Sequence, residues 1–272
     1  MPVPELPEVE TIVRCLRRPL KARTVVRASL RPAALYRGGS LRVRALAGRS
    51  IAGVERAGKN AVFRFDPPAA MVVNLGMTGQ LLLGESCGYL EGASGRHLHG
   101  RFALDDGREL RYYDIRRFGF IFVTREADVF AALGIGPDPF DADAAYFEEK
   151  LGGRAAAIKT LLLDQRILSG IGNIYADETL FDARVDPRTS ADRVAPRAEI
   201  LLSSARRILT SAIAHKGSTI RDYRRPDGSR GGFQHLHAVY GRGGEPCLRC
   251  GAPVRKIVLG GRGTHFCPVC QS

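Results

Sequence analysis

No apolar run in this 272-residue chain approaches the roughly 20 residues that a bilayer span requires, so no membrane-spanning helix is expected. The first twenty residues lack the apolar core of a secretory leader and carry Glu5, Glu8 and Glu10 instead, which points to a cytoplasmic, reducing compartment. There is no internal repeat and no low-complexity tract. Acidic residues are in short supply: 28 Asp and Glu face 41 Lys and Arg, a formal net charge of +13. An excess of that size suggests a polyanionic partner, and nucleic acid is the commonest. Charge alone leaves open simple solubility, and an arginine-heavy basic set can also reflect high genomic GC content.

The chain is long enough for more than one domain. Pro7 suits the first turn of a helix, Glu8 and Glu10 suit its positive end, and Val9, Ile12, Val13, Leu16 and Leu20 recur at helical spacing. From about residue 24 to 124 the pattern changes to short β-type runs: 25–30, 61–65, 71–75, 80–83, 101–104, 109–113 and 119–123. Asp105-Asp106-Gly107 reads as a hairpin turn between two of them. Strands at this spacing predict a sandwich or barrel. Gly134-Ile135-Gly136-Pro137-Asp138-Pro139 punctuates the chain as a hinge. Beyond it Ile158, Leu161 and Leu162 form one helical face, and Leu201, Ala205, Ile208 and Ala212 another, in a helix stopping at Gly217. Residues 217–234, rich in Arg, Asp and Gly, read as an exposed, mobile loop.

Two CxxC pairs, Cys247/Cys250 and Cys267/Cys270, stand 16 residues apart. Two such knuckles supply four thiolates and close a tetrahedral shell, so one structural Zn2+ with no open position is expected. In a reducing compartment a disulfide pairing is disfavoured. A zinc–tetrathiolate centre carries two net negative charges. Arg242, Arg249, Arg255, Lys256 and Arg262 outweigh them, leaving a basic finger suited to phosphate. Cys15 and Cys87 read as ordinary residues. The finger alone fits a transcription or RNA-binding module as well as an enzyme.

Six further blocks narrow the choice: Pro4-Glu5-Leu6-Pro7-Glu8-Val9-Glu10-Thr11, Leu75-Gly76-Met77-Thr78-Gly79, Asp114-Ile115-Arg116-Arg117-Phe118-Gly119, Leu161-Leu162-Leu163-Asp164-Gln165, the stretch Ser169 to Glu178, and Gly261-Arg262-Gly263-Thr264-His265-Phe266-Cys267-Pro268. In order and across nearly the whole chain, they resemble the formamidopyrimidine-DNA glycosylase family. The resemblance implies an α+β multidomain fold: an N-terminal helix and β-sandwich (1–133), a helix–two-turn–helix domain with a lesion-capping loop (134–236), and a zinc finger (237–272). It implies a base-excision repair enzyme that removes oxidised purines from double-stranded damaged DNA and then cleaves the strand, acting as a monomer.

The same resemblance implies the site. Pro4 is the nucleophile: a secondary amine with an ordinary pKa of about 8 is partly neutral at pH 7, whereas lysine is not. It attacks C1′ and forms an iminium that permits elimination of both phosphates. Glu5 is the adjacent acid. Lys59 and Arg262 contact phosphate and assist elimination. Asn173 opens a helix whose amides grip phosphate, and His97 and Arg154 are further DNA contacts. Met77, Arg116 and Phe118 fill the void left by the everted nucleotide.

The sequence departs from the family pattern at two places. Asn74 stands where the family has histidine, which alters a phosphate contact. Met1-Pro2-Val3 precede Pro4, and a peptide-bonded Pro4 is a tertiary amide that attacks nothing. Val3 takes the place of an initiator methionine, as a GUG start codon would, so the working chain is expected to begin at Pro4; Pro2 is the alternative nucleophile. Two other functions remain at this stage: an oxidised-pyrimidine glycosylase of the same fold, and a non-catalytic DNA-binding homologue. The cysteine spacing makes its own prediction. Elemental analysis after dialysis should give about one zinc per chain, and Cys250→Ser should lose metal and DNA binding together. A metal-free chain that still binds and cleaves DNA normally would overturn the assignment.

Overall fold

The computed structural model describes residues 4–31, 35–85, 95–125, 127, 129–220 and 223–272; Cys87 lies outside them. Helix α1 (Leu6–Leu20) opens with Pro7 in its first turn, where a missing N–H costs nothing. All five apolar positions expected on its inner face are buried. The helix serves two cores. Leu6 packs among the C-terminal helices, while Val9, Ile12, Val13, Leu16 and Leu20 pack against the sheets.

Two four-stranded sheets form the sandwich, ordered β1-β6-β7-β5 and β2-β3-β4-β8. The first comprises β1 (Val25–Leu30), β5 (Gly79–Glu85), β6 (Leu98–Leu104) and β7 (Arg108–Asp114). The second comprises β2 (Ser50–Ala57), β3 (Asn60–Asp66), β4 (Ala69–Asn74) and β8 (Phe120–Thr124). All pairings are antiparallel. The expected hairpin at Asp105-Asp106-Gly107 joins β6 to β7, with Gly107 at φ +82°. Strand β2 is the one the sequence pattern does not announce. A register shift between Ile51 and Gly53 breaks its alternation, and a bulge of that kind removes the period-2 signal.

The C-terminal half contains α2 (Val129–Leu133), α3 (Ala144–Leu151), α4 (Ile158–Leu162), α5 (Asn173–Asp182), α6 (Ala191–Val194) and α7 (Ala198–Ala214). The segment at 134–139 is pinned rather than loose. Asp138 is 3% exposed and meets Arg56 of β2 at 2.6 Å, and Ser169 N donates to Pro137 O at 2.9 Å. The stretch after α7 also differs from expectation. Residues 227–230 are exposed, but Ser218, Tyr223 and Phe233 are buried. Tyr223 lies in the sandwich core, its hydroxyl donating to the carbonyls of Glu8 (3.4 Å) and Lys216 (3.2 Å). Isolated apolar residues in an Arg/Gly-rich stretch have no periodicity to betray them.

Strands β9 (Arg255–Leu259) and β10 (Arg262–Phe266) form a hairpin over the cysteine knuckles. Two carboxylates on successive residues of α5 lash it down. Glu178 accepts the backbone N–H groups of Ala238, Val239 and Tyr240 at 2.9, 3.0 and 2.8 Å. Asp177 pairs with the buried Lys159 at 2.6 Å and accepts His265 N at 2.9 Å. Lys159 Nζ also donates to Gly263 O (3.0 Å) and Thr264 Oγ1 (2.8 Å) of β10. Removing one member of such a pair strands a buried charge. Asp177→Ala should therefore cost about 3–5 kcal/mol in urea denaturation. The double replacement Asp177→Leu/Lys159→Met should recover much of that loss, and a single variant as stable as wild type would refute the role.

Candidate active site

The site is organised at the N-terminus of α5. A helix leaves its first N–H groups unpaired there and concentrates the positive end of its dipole. Glu5, 1% exposed, fills this position: its carboxylate accepts Gly172 N (2.7 Å), Ile174 N (3.0 Å) and Tyr175 N (3.3 Å). Gly172 is required for the approach, since a Cβ there would lie 2.4 Å from Glu5 Cδ. Burial raises the Glu5 pKa, and it outweighs the opposing pull of Lys59 and the three amides. The result is a carboxyl more willing to hold a proton than an exposed glutamate.

Lys59 sits in the two-residue turn between β2 and β3, half-buried. Desolvation lowers its pKa, Glu5 pulls the other way, and the charge of Arg262 lowers it further. Arg262 is exposed at the start of β10, just past the Gly260-Gly261 tip. Glu5, Lys59 and Arg262 thus come from the N-terminal segment, the sandwich and the finger and share one electrostatic neighbourhood. Pro4 is buried directly before Glu5. Asn173 begins α5, and its Nδ2 donates to Gly263 O of β10 at 2.9 Å, so the finger is tied to the same helix end.

Behind Glu5 lies a second buried carboxyl, Glu8, which by its sequence position alone is only a helix-end residue. Glu8 accepts Glu5 N (2.9 Å), Tyr175 Oη (2.6 Å) and Ser218 N (2.6 Å). Burial, then the neighbouring Glu5, pushes its pKa up to about 7. Ser218 Oγ continues the network to His237 Nε2 at 3.0 Å, and burial lowers that imidazole to about 4. Tyr175, Ser218 and His237 went unassigned from sequence, because each is an ordinary residue until tertiary contact places it beside Glu8.

Met77, Arg116 and Phe118 occupy two adjoining turns on the sandwich. Met77 lies between β4 and β5, while Arg116 and Phe118 lie between β7 and β8. Gly76 at φ +54° allows the contact, since a Cβ there would fall 2.4 Å from Gly119 N. Asp114, fully buried, organises both turns, accepting Thr78 Oγ1 (2.5 Å), Arg116 N (3.3 Å) and Gly119 N (2.9 Å). Phe118 is 52% exposed with the Arg116 guanidinium 4.6 Å over its ring. An aromatic ring and a planar cation presented outward in this way resemble a wedge more than core residues. His97, half-buried in a 3-10 turn, and Arg154, exposed after α3, lie on elements other than those carrying Glu5, Lys59 and Arg262.

The sulfur atoms of Cys247, Cys250, Cys267 and Cys270 lie within 4.8 Å of one another. Tetrahedral zinc with Zn–S bonds of about 2.3 Å needs separations of about 3.8 Å. Arg249 N and Cys270 N each point at a knuckle sulfur at 3.4 Å. The donor set is all thiolate and has no open position, which suits a structural ion.

Comparison with known proteins agrees along the whole chain. Residues 3–121 match the model of the formamidopyrimidine-DNA glycosylase N-terminal domain and 133–224 that of the family's H2TH domain. Residues 244–272 match the zinc finger found in FPG and IleRS. The chain is 42% identical to the formamidopyrimidine-DNA glycosylase of Solibacter usitatus, over 99% of each chain, and 39% identical to that of Bacillus subtilis, again over 99% of each. The crystal structure of the MutM (Fpg) protein from Thermus thermophilus superposes with a TM-score of 0.86 at 41% identity, over 98% of each chain. The Lactococcus lactis Fpg in complex with abasic-site DNA gives 0.87 at 34% identity, over 98% of this chain and 99% of that one. The finger therefore holds one structural zinc ion.

The Glu8 network has a pH signature. Because the folded-state pKa of Glu8 is raised from 4.5 to about 7, the folded chain binds more protons than the unfolded one between those values. The Glu8 contribution to stability is thus largest below pH 4.5 and is lost as the pH rises to about 7. His237 acts in the opposite sense across roughly pH 4 to 6.5 and masks part of the slope. Relative to wild type, Glu8→Gln should gain stability between pH 5 and 7.5, by up to about 3 kcal/mol. Urea midpoints at the two pH values measure the difference; a constant offset would show that Glu8 titrates normally.

Proposed function

Because the chain belongs to the formamidopyrimidine-DNA glycosylase family, we propose that it is a base-excision repair DNA glycosylase and abasic-site lyase for oxidised purines. The observation that carries the reading is the buried Glu5 carboxyl on the α5 amides, with Lys59 beside it and the Arg262 charge close to Lys59. Relatives of the same length and fold have been crystallised with abasic-site DNA and with Fapy-dG DNA. Its substrate is double-stranded DNA, it acts as a monomer, and it works in the bacterial cytoplasm. Among the described residues no helix is long and apolar enough to cross a membrane.

In this reading Pro4, as a free secondary amine, attacks C1′ of the everted nucleotide while Glu5 supplies a proton to the opening sugar. The raised pKa of Glu5 favours the protonated form that the step needs. The base leaves and a proline iminium forms. That electron sink permits elimination first of the 3′ and then of the 5′ phosphate. Lys59, its pKa lowered, can exchange a proton with the sugar during elimination. Arg262, Asn173, His97 and Arg154 hold the backbone as phosphate contacts. Met77, Arg116 and Phe118 occupy the gap in the stack, where unstacking costs a few kcal/mol. The zinc is the finger's structural anchor; Cys247, Cys250, Cys267 and Cys270 hold it, and the hairpin bearing Arg262 depends on it.

The mechanism requires that residues 1–3 be absent from the working protein. The family match begins at residue 3, and the Pro4 nitrogen is a free amine only in a chain that begins at Pro4. Protein from its native source should have the intact mass of a chain beginning at Pro4. On duplex DNA containing 8-oxoguanine it should release the base and nick both sides of the sugar, and borohydride should trap a covalent adduct on Pro4. An adduct on Pro2 of the full-length chain at normal activity would overturn the Pro4 assignment. No adduct at all would leave a non-catalytic binder, and preferential release of thymine glycol would move the substrate to oxidised pyrimidines.

A further inference from the structure

Asn74 stands where a phosphate-contacting histidine was expected, yet its side chain is engaged within the protein on both its donor and its acceptor. Asn60 and Asn74 are cross-strand partners in the β3–β4 register. Asn60, 5% exposed, donates through Nδ2 to Ala57 O at 2.9 Å, across the mouth of the turn that carries Lys59. Asn74 Nδ2 donates to Asn60 Oδ1 at 2.9 Å, and Asn74 Oδ1 accepts Gly76 N, also at 2.9 Å. Gly76 opens the turn carrying Met77 and backs onto Phe118 and Gly119. A run of three hydrogen bonds therefore leads from the Lys59 turn to the turn that carries Met77.

We propose that Asn74 is a positioning residue that locks the Lys59 turn to the Met77 turn, so that the group acting on the sugar and the group filling the stack are held in one register. The proposal rests on the roles given above to Lys59 and Met77. The physical basis is that each amide fixes a backbone group of one turn while holding the other amide, and linked hydrogen bonds shielded from water, fully at Asn60 and in part at Asn74, are costly to break singly. Small misplacements of a reacting group cost large factors in rate.

The test is single-turnover kinetics on two duplexes, one with a preformed abasic site and one with 8-oxoguanine, beside equilibrium binding to undamaged duplex at several salt concentrations. Asn74→Ala releases Gly76 N and breaks the link to Asn60 while leaving the Asn60–Ala57 bond in place, so the two turns are uncoupled, and it should slow elimination and excision by about tenfold, with affinity and its salt dependence unchanged. Asn60→Ala breaks the same link and also releases Ala57 O at the Lys59 end, while Gly76 N keeps its bond to Asn74, so it should slow elimination more than excision. Asn74→Ser serves as a second, less disruptive variant, with the same split between rate and affinity expected. If the Asn74 variants instead weaken binding to undamaged duplex and flatten its salt dependence at wild-type saturating rates, Asn74 is a phosphate contact and the proposal fails. Wild-type rates with only a lowered Tm would reduce it to a fold residue and overturn the proposal equally. Lys59→Met is run alongside. Full elimination by that variant would refute the role of Lys59 itself. Its loss together with unimpaired Asn74→Ala would refute the linkage alone.

Discussion

The Glu5 carboxylate closes the open end of α5, and much of the molecule is arranged so that it can. Three backbone N–H groups receive it, Gly172 leaves room for it, and Leu6, the next residue, enters the helical core while its own N–H donates to Gly170 O at 3.0 Å. The N-terminal segment is thereby stitched to the helical domain at the point where the helix dipole is most positive. Such a helix end is also a natural phosphate site, so a protein acid takes the place where an anion would otherwise bind. Asn173, the first residue of the helix, is left at the rim.

Several acidic residues of this basic chain are buried where they join separate segments. Glu5, Glu8, Asp114, Asp177 and Glu178 are all almost fully buried. Each takes backbone N–H groups from an element distant in sequence or from a neighbouring turn, so a single side chain sets the relation of two segments. Asp177 and Glu178 seat the finger on α5, Asp114 joins the turns that carry Met77 and Phe118, and Glu8 holds Ser218 at the start of the stretch after α7. The cationic side chains are left largely for the surface and for the anion. Burial lowers the pKa of both Lys59 and Lys159, and the Arg262 charge adds to it in each case, against the opposing pull of the nearby carboxylates.

Most of the strands and the principal helices were legible because their signals are local. The face of α1, the hairpin at Asp105-Asp106-Gly107 and the two cysteine knuckles each lie within a short window. Strand β2 escaped because a bulge shifts its register, and the burial of Tyr223 and Phe233 escaped because their surroundings are polar in composition. The candidate site was legible mainly through ordered blocks. Lys159, Ser218 and His237 lie outside those blocks, Tyr175 lies inside one with no role read for it, and their parts are defined by partners up to 210 residues away.

By itself the sequence determined the mixed helix and sandwich architecture, the four zinc ligands, the basic character of the surface and the family to which the blocks belong. Those depend on periodicity, spacing and residue type, which are properties of the chain read in order. Only the tertiary structure decided that Glu5 is desolvated at a helix end, that Glu8 is raised beside it, and that Asn74 faces inward between two turns. Those depend on which groups lose water together and which amide meets which oxygen, and folding alone brings residues 5 and 172, or 60 and 74, within hydrogen-bonding distance.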